Sequence, residues 1–402
     1  MHQDKKMQRN IHLFGIYKVF TKRVFLPLTT IYATQAAGLS IAQIGTATAL
    51  ASFVSLFFET TTGYWADTHG RRKSSLIGAA LAALSTALYI VSANFWGIVA
   101  AGVVQAIGYS FLSGAMEALI HDSLVVLKKE HDYAKIASRA QALSLVANAI
   151  FIATVPLLYP IDKRLPFVAG FFAYVSLFFV AWLLTEPATK HHADQKLLFY
   201  KAVRKVITKD TFLFFACVGL AYAVVGGVTD NLNLGLKELG LKPEYTGFVF
   251  AAASLLAAAA GFFVHHLKRL SFKQFAALDI TTSALVFVGF GFIQSLPIAM
   301  AVFMINMAFW RYQKIMYQHY VLELYGNGRY KATLMSLMSN FALIHEVWLA
   351  LVFTKIAASI GVLPSLRYGV LLTALLLPLF LYSIYKLQTA AKASFADANH
   401  LT

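Results

Sequence analysis

The sequence predicts an all-α integral membrane protein, and three observations carry that prediction. The chain of 402 residues is 59% hydrophobic and only 13% charged, with a mean hydropathy of +0.65, whereas soluble domains average about 25% charged residues. Such a chain has too little polar surface to coat a water-facing fold, so lipid must be its solvent. Apolar runs long enough to cross ~30 Å of hydrocarbon, about 20 residues each, recur along the whole length. Lys and Arg fall mostly in the connections between those runs. That placement controls topology, and the formal net charge of +16 therefore does not imply nucleic-acid binding.

Taken in order, the runs give twelve segments at 12–36, 41–65, 74–94, 96–122, 136–159, 165–185, 211–235, 244–267, 273–293, 297–323, 332–358 and 366–387. The longest polar interruption, 186–210, carries Lys190, Lys196, Lys201, Arg204, Lys205 and Lys209. It divides the chain into a six-helix bundle (1–185), a basic cytoplasmic linker (186–210) and a second six-helix bundle (211–402). Near the amino terminus Lys5, Lys6 and Arg9 precede apolar residues in the manner of a signal peptide. Lys18, Lys22 and Arg23 interrupt that run, so it reads as an uncleaved first span. With the amino terminus inside, about 22 Lys and Arg fall in cytoplasmic connections. Five, Lys163, Arg164, Lys237, Lys242 and Arg367, fall on the other side. The positive-inside rule then places both termini in the cytoplasm. Cys217 is the single cysteine, so no intramolecular disulfide forms.

Between segments two and three stand Gly63, Asp67, Gly70, Arg71, Arg72 and Lys73, spaced as G-x-x-x-D-x-x-G-[RK]-[RK]. The glycines permit close helix approach and a tight turn, and Asp67 can face the positive amino-terminal end of a helix. A generic basic loop is the plainer reading. With twelve segments around it, the stretch resembles the gating loop of the major facilitator superfamily. That resemblance implies the major facilitator fold, alternating access and a monomer. It gives Gly63, Asp67, Gly70 and Arg71 a gating role, with Arg71 paired to an acid at the base of segment four, for which Asp122 is the candidate. Glu59 and Gly63 in segment two, and Ser113, Glu117, His121 and Asp122 in segment four, are similar to patterns in a poorly characterised bacterial branch of that superfamily. The location implied is the inner (plasma) membrane. The superfamily's drug–proton antiporters carry a glycine–proline signature in segment five, but 142–160 holds no glycine. Gly102 stands where their segment-four arginine falls, and the second copy of the loop, 262–273, has neither aspartate nor glycine. These departures weigh against multidrug efflux.

Ionisable side chains inside a span are costly, and they usually face a cavity and mark function. In segment one only fourteen residues, 24–37, separate Arg23 from Gly38. That is too few to cross the bilayer, so Lys22 and Arg23 lie within the protein and one of them is expected to line the cavity. Lys18 and Lys22 are four apart and share a helical face, although Lys18 can also snorkel to the interface. Segment ten carries Arg311, Gln313, Lys314, Gln318 and His319, with Arg311, Lys314 and Gln318 on one side of the helix. In the superfamily, segments one, four, seven and ten line the central cavity, which would set these basic groups face to face. Either Glu59, Glu117 or Glu346 neutralises them as structural pairs, or the cavity is positive and draws in an anion that arginine grips bidentately. The expected substrate-binding set is Lys22, Arg23, Arg311, Lys314, Gln318 and Glu117.

Acids in or near the segments are Glu59, Glu117, Asp122, Asp230, Glu323 and Glu346. The protonation of a carboxyl inside a span responds to burial and to basic neighbours. Glu346 beside His345, with Glu59 and Glu117, are therefore candidates for proton coupling; the other reading of each is an ion pair that closes a gate. Asp230, Asn231 and Asn233 are expected to shape the mouth at the end of segment seven.

The function expected is secondary active transport of a small or medium anionic solute, such as a carboxylate, a phosphorylated metabolite or a carboxylate siderophore, coupled to protons. Proton-driven efflux of hydrophobic drugs or lipids is the alternative. A membrane enzyme or sensor is the rival from another class. The sequence lacks G-x-x-x-x-G-K-[ST], which excludes ATP as the driver. The twelve histidines are scattered, with His191, His192, His265 and His266 at cytoplasmic ends, so neither a metal nor another cofactor is expected.

Overall fold

The structure is a computed structural model, and it describes residues 2–187, 209–261, 269–325 and 331–399. Those residues form helices joined by short turns. In chain order they are α1 His2–Phe20, α2 Thr29–Gln35, α3 Ile41–His69, α4 Arg71–Val91, α5 Phe95–Leu112, α6 Ala115–Val126, α7 Tyr133–Thr154 and α8 Leu165–Leu183. Then follow α9 Lys209–Gly226, α10 Thr229–Glu238, α11 Thr246–Gly261, α12 Phe272–Val288, α13 Leu296–Tyr325, α14 Lys331–Ile360 and α15 Val362–Asn399. Local sequence sets several starts. Ser40 with Gln43 and Ser271 with Gln274 make reciprocal capping boxes ahead of α3 and α12.

Among the described residues, ten helices are long and apolar enough to cross a membrane. The expected segments 12–36 and 297–323 are not among them. Both bear the polar residues singled out above: Lys18, Lys22 and Arg23 in one, Arg311 and Gln313 in the other.

The chain forms two compact units. One comprises Met1–Lys196 with Leu241–Ala252, the other Leu197–Gly240 with Ala253–Thr402. In the first, α4 packs on α5 and α8, α3 packs on α5, and α1 packs on α6, α7 and α8. Its core is aromatic: Phe25, Tyr32 and Tyr89 surround Phe167 with ring centres 4.4–5.0 Å away. In the second, α9 packs on α14 and α15, and α12 packs on α13 and α15. There Phe272 stacks on Tyr320 at 4.7 Å.

Large apolar side chains such as Trp96, Phe57, Phe172 and Leu375 point outward, while small hydroxyls are buried between helices. Ser74 donates to the Phe111 carbonyl (2.7 Å), Ser85 to Ala101 (2.9 Å) and Ser144 to Lys18 (2.8 Å). This inside-out distribution suits lipid as solvent, where small and hydroxyl residues bring helices together. The α4–α5 crossing depends on it. A Cβ added at Gly78 would sit 2.8 Å from the Gly108 carbonyl oxygen and 2.7 Å from Leu112 Cγ. Gly78→Ala is therefore expected to cost about 1–3 kcal/mol through overpacking, read as a lower melting temperature of the detergent-solubilised protein.

Three of the expected segments are broken. Segment one stops at Phe20 and resumes at a 3₁₀ turn, Leu26–Leu28. Pro27 lacks the N–H that would bond the Arg23 carbonyl, and its ring would crowd that carbonyl in a continuous helix. The Leu26 amide takes the Arg23 carbonyl instead, at 3.1 Å. The expectation that Lys18 and Lys22 share a helical face is thereby corrected, because the helix ends between them. Segment four breaks at 113–114, where Gly114 has φ +71°, a conformation open to glycine at little cost. Segment seven breaks at 227–228, between α9 and α10.

Candidate substrate and gating sites

In the first unit the broken segments one and four meet. The Arg23 guanidinium lies over the Tyr109 ring, 4.8 Å from its centre, within reach of cation–π attraction. Tyr109 also donates to the Thr21 carbonyl at 3.0 Å and shares a 2.8 Å hydrogen bond with Tyr174. One turn beyond the break of segment four, Glu117 pairs with Lys18. Arg23 and Lys18 thus both contact segment four, and Lys22 lies half-buried in the break between them. Backbone interrupted at membrane depth is tolerated where protein or a cavity surrounds it, and such breaks recur at transporter binding sites.

The residues expected to form a gate come together at one end of the same unit. Arg71 at the start of α4 pairs with Asp122 of α6, and its other terminal nitrogen lies 3.5 Å from Asp67 of α3. Gly70 turns the chain between α3 and α4 at φ +106°. Glu186 completes the arrangement, with no sign of this role in the sequence. Its two carboxylate oxygens accept the backbone amides of Arg71 (2.8 Å) and Arg72 (2.7 Å), a negative cap where the helix dipole is positive. Asn10, fully buried, ties α1 to this end by donating to Ser123 Oγ (3.0 Å) and the Thr185 carbonyl (2.8 Å). Gly63 and Glu59 lie on α3.

In the second unit Arg311 projects from α13 to Ser254 Oγ at 3.4 Å. Among the described residues it has no acidic partner. Gln318 is half-buried on the same helix. The Lys314 side chain, residues 188–208 of the expected linker and residues 262–268 with His265 and His266 lie outside the described residues. On α14, His345 accepts a hydrogen bond from Trp348 Nε1 at 2.7 Å. A Cβ at Gly226 would lie 3.4 Å from Glu346 Oε1, so that carboxyl lies against the end of α9. Asn231 of α10 is buried and donates to the Phe353 carbonyl at 3.2 Å.

One buried acid is missing from the set expected on sequence. Asp279 of α12, 2% exposed, accepts hydrogen bonds from Gln313 Nε2 at 2.9 and 2.7 Å and from Tyr317 Oη. The signal is present in the sequence, because Asp279 is the only charged residue between Lys273 and Arg311.

The family model of the Major Facilitator Superfamily matches residues 14–344. The chain belongs to that superfamily. The transporter is similar in fold to a mutant form of the nucleoside transporter NupG, with a TM-score of 0.81 at 12% identity over 95% of this chain and 99% of that one. It is similar to the POT family transporter PepTSo, with a TM-score of 0.76 at 12% identity over 96% and 98% of the two chains. A bacterial homologue of the human lysosomal transporter Spinster, inward-facing and unoccupied, gives 0.68 at 12% over 98% of each. At such identity the likeness is one of fold alone. No curated protein matches in sequence. The chain is therefore a multi-pass membrane protein of the secondary transport class, embedded in lipid and moving a small-molecule substrate, and it is not an enzyme.

Proposed function

We propose that this transporter moves a small or medium anionic solute by alternating access, coupled to protons, as a monomer of twelve spans in the inner membrane with both termini cytoplasmic. The observation that carries the reading is Arg311. Half-buried on α13, it meets only the neutral Ser254 hydroxyl and has no acid beside it among the described residues. An arginine so placed is costly unless an anion joins it. Arg23, held on an aromatic ring in the first unit, supplies a second such group. Lys18 is different, since Glu117 already neutralises it. The basic linker supports the cytoplasmic termini, and the carboxyls proposed for coupling are Glu346, Glu59 and Glu117, with His345 beside Glu346. The gating proposal rests on Gly63, Asp67 and Gly70 around the Arg71–Asp122 pair.

The test is thermal stability of the purified protein against matched panels of anionic, neutral and cationic metabolites. A ligand that binds only the folded state stabilises by mass action, about 2.7 kcal/mol at one hundred times Kd. Anions are expected to raise the melting temperature of the wild type, with much smaller shifts in Arg23→Ala and Arg311→Ala. Stabilisation only by neutral or lipophilic cationic compounds, equal in the variants, would overturn the anion reading and favour drug or lipid efflux. Flux of the stabilising solute into liposomes containing only this protein completes the assignment.

A further inference from the structure

We propose that Asp279 is a proton-carrying group of the transport cycle, held in place by Gln313 and Tyr317. The inference rests on the proton coupling proposed above and places it on a residue outside that set. Asp279 lies on α12, enclosed by α9, α13 and α15. From α13 come the Gln313 amide and the Tyr317 hydroxyl. From α9 comes the Ala221 carbonyl, which accepts from the same Gln313 nitrogen at 3.0 Å. The described charged residues of α15 are engaged elsewhere: Arg367 with the Gly291 carbonyl and the Phe292 ring, Lys386 with the Tyr382 ring. Among the described residues no cation faces Asp279.

The donors fall short of what a carboxylate requires. Gln313 Nε2 has two hydrogens for three acceptors, Ala221 O and both Asp279 oxygens. One hydrogen must serve both carboxylate oxygens or leave one of them out. Tyr317 supplies the only other donor found among the described residues, and it points at Oδ2. An ionised carboxylate buried with so few donors is poorly compensated. The surroundings are instead rich in acceptors. Gln313 Oε1 and Asn306 Oδ1 are both buried without a hydrogen-bond partner among the described residues. With Asp279, Ser283, Tyr222 and Trp310 they line one small recess, too narrow to seat a solute. A proton needs no such space. It adds to Oδ1, forming one O–H bond and removing one negative charge, and its release to water reverses the step. As an O–H, Asp279 becomes a donor, and a rotated Gln313 amide can offer Oε1 to receive it.

The first test does not need the substrate. Infrared difference spectra of the purified protein, recorded across neutral pH, are expected to show a carboxyl band that rises and falls with pH. Asp279→Asn, which keeps the shape and the Tyr317 contact, should remove it, and Asp279→Glu should keep it at a shifted frequency. Tyr317→Phe leaves Asp279 in place and should displace the midpoint of the titration, which covers the case of an Asp279 variant that does not fold. A pH-dependent band unchanged by Asp279→Asn, or no such band in the wild type, overturns the assignment. If sodium replacing choline at constant ionic strength abolishes the band, the site binds a metal cation and the proton assignment also fails. In liposomes, with the solute that the stability screen identifies, Asp279→Asn should lose gradient-driven accumulation. A wild type that accumulates solute equally without a gradient refutes proton coupling, and the infrared result separately shows whether Asp279 titrates.

Discussion

Asp122→Ala should be among the most damaging single substitutions in the first unit, costing about 3 kcal/mol. Arg71 and Asp122 are largely shielded from water, with side chains 14% and 16% exposed. Removing one partner of a buried pair leaves the other charge uncompensated, at a cost of about 3–5 kcal/mol when burial is complete. Here Asp67 lies 3.5 Å from Arg71 and partly covers the loss, which argues for the lower end of that range. Arg71→Ala should cost a similar amount, because it leaves Asp122, shielded to the same extent, without its partner. The Arg71→Ala/Asp122→Ala double variant should then be more stable than the sum of the singles implies, with a coupling energy of about 1–3 kcal/mol. Melting temperatures of the four proteins in one detergent measure it. Strict additivity would mean that the two side chains do not support each other, and the proposed gate would lose its central contact. The Glu186 cap is independent of that contact because it binds backbone amides. It should persist in all four proteins and keep α4 anchored at its start.

What can be read from the sequence divides along physical lines. The all-α membrane fold is legible because apolar density and segment length are local properties, set by the thickness of the hydrocarbon and by nothing distant in the chain. The meeting of Asp67, Arg71 and Asp122 is legible only through resemblance, since no spacing rule connects Arg71 to a residue 51 positions away. Segment one reads as continuous by apolar content although Pro27 stands in it, and a proline in mid-segment is itself the signal for a break. Glu186 is legible only as part of a polar stretch. That it caps α4 depends on the end of α8 folding beside a helix start 115 positions earlier. Asp279 needs no long-range knowledge, only the rule that an isolated acid inside a span is functional until shown otherwise. The state of Lys18 is undecidable from sequence, because an unpaired cavity lysine and a lysine paired with Glu117 share the same residues and the same spacing.

The Lys18–Glu117 pair separates a structural acid from a coupling one. Lys18→Met leaves Glu117 facing the break of segment four without its partner, and is expected to cost about 1–3 kcal/mol, the usual penalty for orphaning a partly buried charged group. Glu117→Gln strands Lys18 in the same way, although Lys18 can still lie against the Phe14 ring at 5.7 Å. The two losses should be similar, because Glu117 is in turn the more exposed of the pair, 39% against 20%. The double variant Lys18→Met/Glu117→Gln keeps the side-chain volumes and removes both charges, so it should melt closer to the wild type than either single. If the proton is carried on Asp279, this double variant should also retain gradient-driven transport, because Glu117 then serves only to hold segment four against segment one. Stability restored in the double variant while gradient-driven transport is lost would reverse that conclusion. Glu117 would then be the coupling carboxyl, with Lys18 as the charge that competes with the proton for it.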